Sequence, residues 1–177
     1  MVKVEIVNIV STASLAEDVD LKALRNAKEI SYNSKIYGGK VAYFKTEKMQ
    51  GRVSIFNSGK MISVGTKSET QAFKELELAM HFLIKKRFAK QVKLQPKIQN
   101  LVVTADLEKN LVLEELSEQI NMIYEPDQFP GAILRFEKPF KSTILLFASG
   151  KAVVAGLKSS EQISPTIQKL NQFIESQ

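Results

Sequence analysis

Two phenylalanines in the second half of the sequence stand directly before turn signals. Phe129 precedes Pro130-Gly131, and Phe147 precedes Ala148-Ser149-Gly150. Glycine and proline at these positions end a strand, so each ring is expected at the corner between a strand and a turn. Most phenylalanines in strands belong to the core. A ring at a corner can instead stack on a flat partner, which makes these two residues candidates for binding.

The first half of the chain carries a weaker copy of this pattern. The spacing between matching residues is 92 up to residue 44 and 91 beyond residue 51. Identities gather at turns and strand ends, and they predict two repeated halves, residues 1–90 and 91–177. The matched residues are Asn8 with Asn100, Val10 with Val102, Tyr32 with Tyr124, Gly39 with Gly131, Phe44 with Phe136, Phe56 with Phe147, and Ser58-Gly59-Lys60 with Ser149-Gly150-Lys151.

Each half is predicted to contain a strand, a short helix, a meander of strands and a long helix. Residues 2–14 place apolar side chains alternately on two faces, as a strand does. Asp20 and Ser68 are expected to cap two helices, and Ser164-Pro165 marks the point where the last helix begins or kinks. Two such halves supply about ten strands and four helices, so the predicted fold class is α+β with an antiparallel sheet.

The composition is that of a globular chain with a basic excess. Of 177 residues, 44% are hydrophobic and 25% are charged, and the formal net charge is +6. Residues 1–90 carry 16 Lys+Arg and 9 Asp+Glu, a balance of +7, whereas residues 91–177 carry 9 and 10, a balance of −1. A positive excess favours a polyanionic partner, although basic proteins without such a partner are also common.

Several classes of function are disfavoured by the residue types present. The sequence has no cysteine and one histidine, His81, so we expect neither a metal site nor catalytic residues. Gly38-Gly39 is not followed by the Gly-Lys-Ser/Thr of a phosphate-binding loop, and no cofactor is expected. No apolar run approaches the length of a membrane span. The sequence therefore predicts neither an enzyme nor a membrane partner.

One face of the predicted sheet has no helix to cover it. The helices can cover one face, while the opposite parity carries Val10, Val102 and Ile62, with Asn8 and Asn100 at matching central places. Apolar surface of this extent is unfavourable unless a partner covers it. A sandwich or an obligate dimer that hides the face is an alternative interpretation.

The minor groove of DNA is a partner that suits such a face. At A·T pairs the groove presents only acceptors, so a few amide donors and close apolar contact are enough to favour A·T. Phenylalanines at the corners can insert between base steps and kink the duplex. Lysines and arginines at strand ends can hold the phosphates, which makes binding salt-dependent.

The chain closely resembles the TATA-box-binding protein family, in the two-repeat form that archaea use, over essentially its whole length. The most specific stretches are YEPDQFPG at residues 124–131, LLFASGK at residues 145–151, Val7-Asn8 and Gln99-Asn100. This family is itself the standard example of minor-groove binding with apolar wedges. The resemblance implies a curved ten-stranded saddle with four helices on its convex face. It also implies a general transcription initiation factor that binds and kinks A·T-rich (TATA) promoter DNA.

The resemblance further implies partners and a location. Transcription factor B would bind the loop that holds Glu125, Asp127 and Gln128, and RNA polymerase would be recruited indirectly. Molecules free of DNA would pair as homodimers through the concave face. The implied location is the archaeal nucleoid in the cytoplasm, or the nucleus if the source is eukaryotic.

Each predicted site residue takes its role from the matching position in the family. Contacts to the bases and the groove would be made by Asn8, Val10, Ile62, Val64, Asn100, Val102, Leu145, Val153 and Ala155. The intercalating pairs would be Tyr37 with Phe56 and Phe129 with Phe147. The phosphates would be held by Ser58, Lys60, Lys67, Arg135, Ser149, Lys151 and Lys158.

The chain departs from the family pattern at several of these places. Tyr37 stands where phenylalanine is usual, and Tyr43 is interpreted as replacing the arginine that the second repeat keeps as Arg135. Val64 and Ala155 stand where threonines usually bond to bases. Two alternatives stay open: a paralogue with weakened DNA selectivity that regulates through transcription factor B, and an accessory module of a nucleic-acid enzyme.

These departures predict weaker sequence selectivity than is usual in the family, with a larger share of the affinity from phosphate contacts. In a titration of binding against salt, the logarithm of the association constant is expected to fall steeply, because each neutralised phosphate adds about 0.9 to the slope. The preference for TATA over scrambled duplex should be modest. A shallow slope together with a strong TATA preference would contradict this expectation.

Overall fold

The computed structural model describes residues 2–119 and 121–176 and has an α+β fold. Within these residues nine antiparallel strands and four α-helices form, which confirms the predicted class. The strands are β1 (Lys3–Ser14), β2 (Ile30–Tyr32), β3 (Val41–Phe44), β4 (Arg52–Phe56), β5 (Lys60–Thr66), β6 (Lys97–Asp106), β7 (Gly131–Phe136), β8 (Ser142–Phe147) and β9 (Lys151–Leu157). The helices are α1 (Leu21–Leu24), α2 (Glu69–Lys85), α3 (Leu113–Gln119) and α4 (Ile163–Glu175).

The chain forms two compact units. The first unit consists of residues 8–99, with the strand order β2-β3-β4-β5-β1 and the helices α1 and α2. The second unit consists of residues 100–176 together with residues 2–7, and its strands follow the order β6-β9-β8-β7. The predicted repeat boundary after residue 90 lies between α2 and β6, inside the first unit. The sequence repeats and the compact units are therefore different divisions of the chain.

The tenth predicted strand is reduced to a single bridge. Where the first unit has β2, the second has Ile123 paired with Ile133 through two N–H···O bonds of 3.0 and 2.8 Å. The chain turns directly afterwards, because the carbonyl of Glu125 accepts from the N–H groups of Gln128 and Phe129, both at 2.9 Å. A backbone whose hydrogen bonds are used in this turn does not continue the ladder.

The predicted caps of α1 and α2 are confirmed, whereas the last helix begins one residue before the predicted Ser164. Asp20 caps α1 by accepting from two backbone N–H groups at 3.0 and 3.3 Å, and Ser68 caps α2 by accepting from the N–H of Gln71 at 3.2 Å. The last helix begins at Ile163, so Pro165 lies in its first turn, where a missing N–H removes no helical bond. Among the described residues, no helix has both the length and the apolar character needed to span a membrane.

The strands alternate between a buried face and a partly exposed face. The side chains on the buried face of the first unit pack with residues of α2 such as Leu76 and Leu83. The residues between them along each strand are partly exposed. The buried side chains in the first strand of each repeat are Ile9, Ser11 and Ala13 in β1, and Leu101, Val103 and Ala105 in β6.

A buried carboxylate joins α2 to the turn before β4. Glu75 is 0% exposed, and its Oε1 accepts from the backbone N–H groups of Gln50 at 2.8 Å and Gly51 at 3.1 Å, and from Nε2 of Gln71 at 3.2 Å. The hydroxyl of Ser63 donates to its Oε2 at 3.5 Å. Several donors are needed to keep a charge in a buried place, and here two of them belong to the main chain.

Replacing Glu75 with alanine is expected to lower the free energy of unfolding by about 3 kcal/mol or more, because buried main-chain donors lose a charged acceptor. Urea denaturation followed by circular dichroism measures this change. Glu77 is exposed on the same helix, and Glu77→Ala is the matched control, with an expected change within about 0.5 kcal/mol. A loss for Glu75→Ala no larger than that of the control would refute the stabilising role.

Candidate nucleic-acid interface

In each unit the face opposite the helices carries the residues predicted to contact the groove. Their side chains are partly exposed, whereas most residues of opposite parity in the same strands, such as Ile9, Ser63 and Leu101, are buried. Val10 opposes Val64 across two strands of the first unit, and Leu145 opposes Val153 in the second. Each unit therefore presents an aliphatic surface with an asparagine within it. The predicted residues on these faces are Asn8, Val10, Ile62 and Val64, and Asn100, Val102, Leu145, Val153 and Ala155.

The two asparagines make the same contact, one in each unit. Oδ1 of Asn8 accepts from the backbone N–H of Gly65 at 3.0 Å, and Oδ1 of Asn100 accepts from the backbone N–H of Gly156 at 2.8 Å. We call each of these contacts an asparagine clasp. Because an N–H group can only donate, the oxygen of the amide must face the glycine. The Nδ2 donors of both side chains are left for other acceptors.

Each clasp depends on a bulge in the strand that follows the lysine turn. In the first unit, Val10 pairs with Val64 and Ile9 with Thr66, so Gly65 lies outside the regular pairing. The corresponding register shift in the second unit lies beside Gly156. The two glycines have φ of 97° and 102°, in the region that favours glycine, as G1-type bulges do. The N–H group that the bulge leaves unpaired donates to Oδ1 of the asparagine.

The predicted aromatic pair of the second unit is in contact. The ring centroids of Phe129 and Phe147 lie 5.9 Å apart at an interplanar angle of 63°, and both side chains are partly exposed. Gly131 opposes Phe147 across the strands, and a Cβ on Gly131 would lie 2.9 Å from Cε1 of Phe129 and 3.0 Å from Cε1 of Phe147. Glycine at this place therefore makes room for the two rings.

The equivalent corner of the first unit is built differently, and the strand pairing corrects the repeat alignment there. Phe56 opposes Val41, whereas its counterpart Phe147 opposes Gly131. The predicted matches of Gly39 with Gly131 and of Phe44 with Phe136 are therefore wrong. The reason is loop length: nine residues separate Tyr32 from Ala42, and seven separate Tyr124 from Ala132.

The same correction changes which residue of the first unit matches Arg135. Val53 and Ile144 match at the repeat spacing of 91. Val53 pairs with Phe44 and Ile144 pairs with Leu134, so Phe44 matches Leu134. The next residue is Lys45 in the first unit and Arg135 in the second, so Lys45 matches Arg135. The interpretation that Tyr43 replaces the arginine is wrong, because an exposed lysine occupies that position.

Tyr37 lies in the longer loop of the first unit. It begins a 3₁₀ turn over Tyr37–Gly39, has a φ of 48°, and its side chain is 75% exposed. Phe56 is partly exposed, and Val41, which stands in the place of Gly131, is 4% exposed. A valine side chain thus occupies the position that is open for Phe129 in the second unit.

The residues predicted to hold phosphates are all exposed. They lie at strand ends and turns, and Lys60 and Lys151 each follow a glycine with φ near 75°. A Cβ on Gly59 or Gly150 would lie 2.0 Å from a backbone carbonyl oxygen, so both lysine turns require glycine. The exposed set is Ser58, Lys60, Lys67, Arg135, Ser149, Lys151 and Lys158.

The partly exposed faces also carry residues that were not predicted from the sequence as site residues. The guanidinium of Arg52 lies 4.6 Å from the ring centroid of Tyr43, which keeps a charge on the face of the first unit. Thr12 accepts from Nε2 of Gln99 at 2.9 Å. The alternation of the RVSIF strand already placed Arg52 on the same side as Phe56, and this parity was the available sequence signal.

A cavity beside Phe147 adds space to the second unit's face. It measures about 560 Å³ and is lined by Phe147, Val153 and Thr104, with Ser149 and Lys151 also in its wall. Aromatic, aliphatic, hydroxyl and ammonium groups therefore meet around one open space, together with the acidic residues Glu5 and Asp106.

The acidic loop before Phe129 is held in shape at both ends. The carbonyl of Glu125 closes its turn, and the hydroxyl of Tyr124 donates to Oε1 of Glu114 at 3.3 Å. Partial desolvation of its hydroxyl and the neighbouring Glu114 carboxylate raise the pKa of Tyr124, so the phenol stays protonated at neutral pH. Glu125, Asp127 and Gln128 are all exposed on this loop.

In both units the strands carry a partly exposed face made of the predicted contact residues, and comparison with known proteins supplies the family. The family model described as "Transcription factor TFIID (or TATA-binding protein, TBP)" matches residues 3–85 and 95–176. The TATA-box-binding protein of Cenarchaeum symbiosum is 38% identical over 159 residues, which are 89% of this chain and 86% of that protein. The TATA-box-binding protein of Archaeoglobus fulgidus is 31% identical over 178 residues, 98% of this chain and 96% of that protein.

A solved structure agrees with these sequence matches. The chain is similar to Methanococcus jannaschii TBP with a TM-score of 0.88 and 28% identity, over 99% of each chain. The chain belongs to the TATA-binding protein family and has the fold of that family.

Gly131→Ala is expected to lower the free energy of unfolding by about 1–3 kcal/mol, because the added methyl group overpacks the Phe129–Phe147 contact. The cost should shrink in a Phe129→Ala background, where one of the two rings is absent. Urea denaturation of both single variants and the double variant gives this coupling. Strictly additive losses would show that the glycine does not serve the ring pair.

Proposed function

We propose that this chain is a general transcription initiation factor that binds the minor groove of A·T-rich (TATA) promoter DNA with the partly exposed faces of its two units. Membership of the TATA-binding protein family supports the broad assignment to TATA-box binding in transcription initiation. The observation that carries the groove assignment is the asparagine clasp of each unit. It presents amide donors on an aliphatic surface, and A·T pairs offer only acceptors in the minor groove.

Kinking of the duplex is part of the proposal. The Phe129–Phe147 pair is partly exposed at a strand end, where a ring can enter an unstacked base step. Phe56 and Tyr37 are proposed to serve the first unit in the same way. Because Val41 fills the place beside Phe56, we expect the second unit to supply the tighter wedge.

Phosphate contacts are proposed for the exposed basic and hydroxyl residues at the strand ends. Lys60 and Lys151 follow tight glycine turns, which fix where their stems begin. Lys45 adds a basic residue at the first unit's counterpart of Arg135, where the sequence interpretation had placed Tyr43. These contacts position the duplex without reading its sequence.

The proposed protein partners follow from the family. Transcription factor B would bind the exposed loop residues Glu125, Asp127 and Gln128, and RNA polymerase would be recruited through that factor. Without DNA, molecules of this chain would pair through the same partly exposed faces. The proposed place of action is the archaeal nucleoid in the cytoplasm, or the nucleus in a eukaryotic source.

A second candidate function is a paralogue that regulates through transcription factor B and binds DNA weakly. The corner of the first unit favours this candidate, since Val41 replaces the open glycine position and Tyr37 lies in a longer loop. The second unit, with its aromatic pair and its loop, would then carry most of the function.

Gel-shift experiments with TATA and scrambled duplexes, each with and without transcription factor B, separate these functions. A general factor is expected to bind TATA duplex alone and more tightly with the factor. Binding only in the presence of the factor would favour the paralogue. Equal binding to both duplexes under all conditions would overturn the proposal.

A matched pair of variants in the same assay tests the wedge. Phe147→Ala is expected to weaken binding about tenfold and to reduce the bend, because stacking on an aromatic ring contributes about 1–3 kcal/mol per base. Energy transfer between dyes at the duplex ends measures the bend. Phe140 is partly exposed at the opposite end of the same two strands, and Phe140→Ala should leave both measurements unchanged.

A further inference from the structure

An asparagine side chain is by itself an ambiguous reader of the minor groove. Its amide carries an oxygen acceptor and an NH₂ donor, and a rotation by half a turn exchanges them. A·T pairs present only acceptors, whereas a G·C pair adds the guanine N2 amino group, a donor. An amide that turns freely can therefore bond to either kind of base pair.

The clasp removes this freedom in both units. Asn8 and Asn100 each give Oδ1 to a backbone N–H, at 3.0 and 2.8 Å, and a main-chain donor cannot be satisfied by the other end of the amide. Over residues 2–119 and 121–176, neither Nδ2 group has a hydrogen-bond partner. Each side chain is thus held as a donor, with its acceptor already used.

We propose that Gly65 and Gly156 are specificity-determining positioning residues, which lock the two asparagines as donors and thereby exclude guanine at the base pairs that the asparagines contact. The inference rests on the proposed function. Turning the amide towards guanine would leave the bulge N–H without its acceptor. This loss is unfavourable at Gly156, whose contact is part-buried, and at the exposed Gly65 once a bound duplex covers it. The backbone of the bulge therefore enforces a preference that the asparagine alone does not have.

Glycine is needed at both bulges for the N–H to reach the amide. Their φ values of 97° and 102° are strained for any other residue. Added Cβ atoms would lie 3.2 Å from Cα of Gly51 at the first bulge and 3.3 Å from the carbonyl oxygen of Lys141 at the second. The same geometry arises in both units although the residues on either side of the glycine differ, Val64 and Thr66 in the first unit and Ala155 and Leu157 in the second. That recurrence argues for a shared task.

The clasp can be observed directly in the free protein by NMR. A scalar coupling across the hydrogen bond, from the Gly156 backbone nitrogen to the Asn100 side-chain carbonyl carbon, is expected, and likewise from Gly65 to Asn8. Absence of both couplings would overturn the inference without any reference to DNA.

Base analogues then test the effect on specificity. At the contacted pair, inosine·C lacks the N2 amino group of G·C and resembles A·T in the minor groove. For the natural chain, binding to the G·C duplex is expected to be roughly tenfold weaker than to the inosine·C duplex. The ratio of these two dissociation constants measures the rejection of the amino group.

Gly156→Ala is expected to loosen the clasp and to reduce this ratio several-fold. Asn100→Ser tests the same point with the backbone unchanged, since a hydroxyl can donate or accept, and it should also reduce the ratio. The matched control is Gly38→Ala: Gly38 has a φ of 62° and nothing within 4 Å of an added Cβ, so the ratio should stay the same.

The outcomes separate the two proposals. If the natural chain binds TATA duplex but both variants keep its ratio, steric exclusion alone rejects guanine and the positioning role is overturned. If the natural chain shows no preference for TATA over scrambled duplex, the proposed function fails, and this inference fails with it. A reduced ratio in both variants, with the control unchanged, supports the positioning role.

Discussion

The helices of this chain pack on one face of its strands, and every functional feature described above depends on that one-sided packing. Successive side chains of a strand point to opposite faces, so burying Ile9, Ser11 and Ala13 leaves the residues between them facing outward. Among those outward residues, the proposed groove contacts other than Asn8 and Asn100 are aliphatic in both units. A surface of this kind lowers its free energy by contact with a partner, and it is shaped before the partner arrives.

Much of this arrangement was predictable because it follows from local chemistry. Asp20 and Ser68 cap helices since their side-chain oxygens reach the N–H groups two or three residues ahead, a property of short sequence. The alternation of the strands assigned side chains to faces correctly, including the asparagines. The positions of Phe129 and Phe147 beside turns made each ring a candidate for binding, the family resemblance implied that they form a pair, and their rings are in contact.

The misassigned features depend on pairing between distant segments. Gly39 and Gly131 share a residue type and a spacing, yet the strands place Val41 opposite Phe56, because the loop before it is two residues longer than its counterpart in the other repeat. Register is decided by hydrogen bonds and packing across strands, which residue identity at a fixed spacing does not report. The bulges at Gly65 and Gly156 were not predicted for the same reason, since a bulge is defined only by the pairing with a neighbouring strand.

Sequence also could not reveal how the polar groups of the core are satisfied. In the sequence, Glu75 does not differ from the other glutamates of its helix. Its main-chain donors belong to a turn that lies 24 residues earlier in the chain. The open glycine position beside Phe129 is likewise visible only when the distances to both rings are known. In each case the relevant neighbour is far away in sequence and close in space.

The buried carboxylate of Glu75 has a consequence for the outer surface. It accepts hydrogen bonds from the backbone N–H groups of Gln50 and Gly51, immediately before β4. Gly51 has no space for a Cβ, because an added Cβ would lie 2.2 Å from the carbonyl oxygen of Val64. A slip of β4 by one residue would present Ile55 outward and turn Phe56 into the interior. The contacts of Glu75 thus hold β4 in the one register that keeps the ring of Phe56 on the partly exposed face.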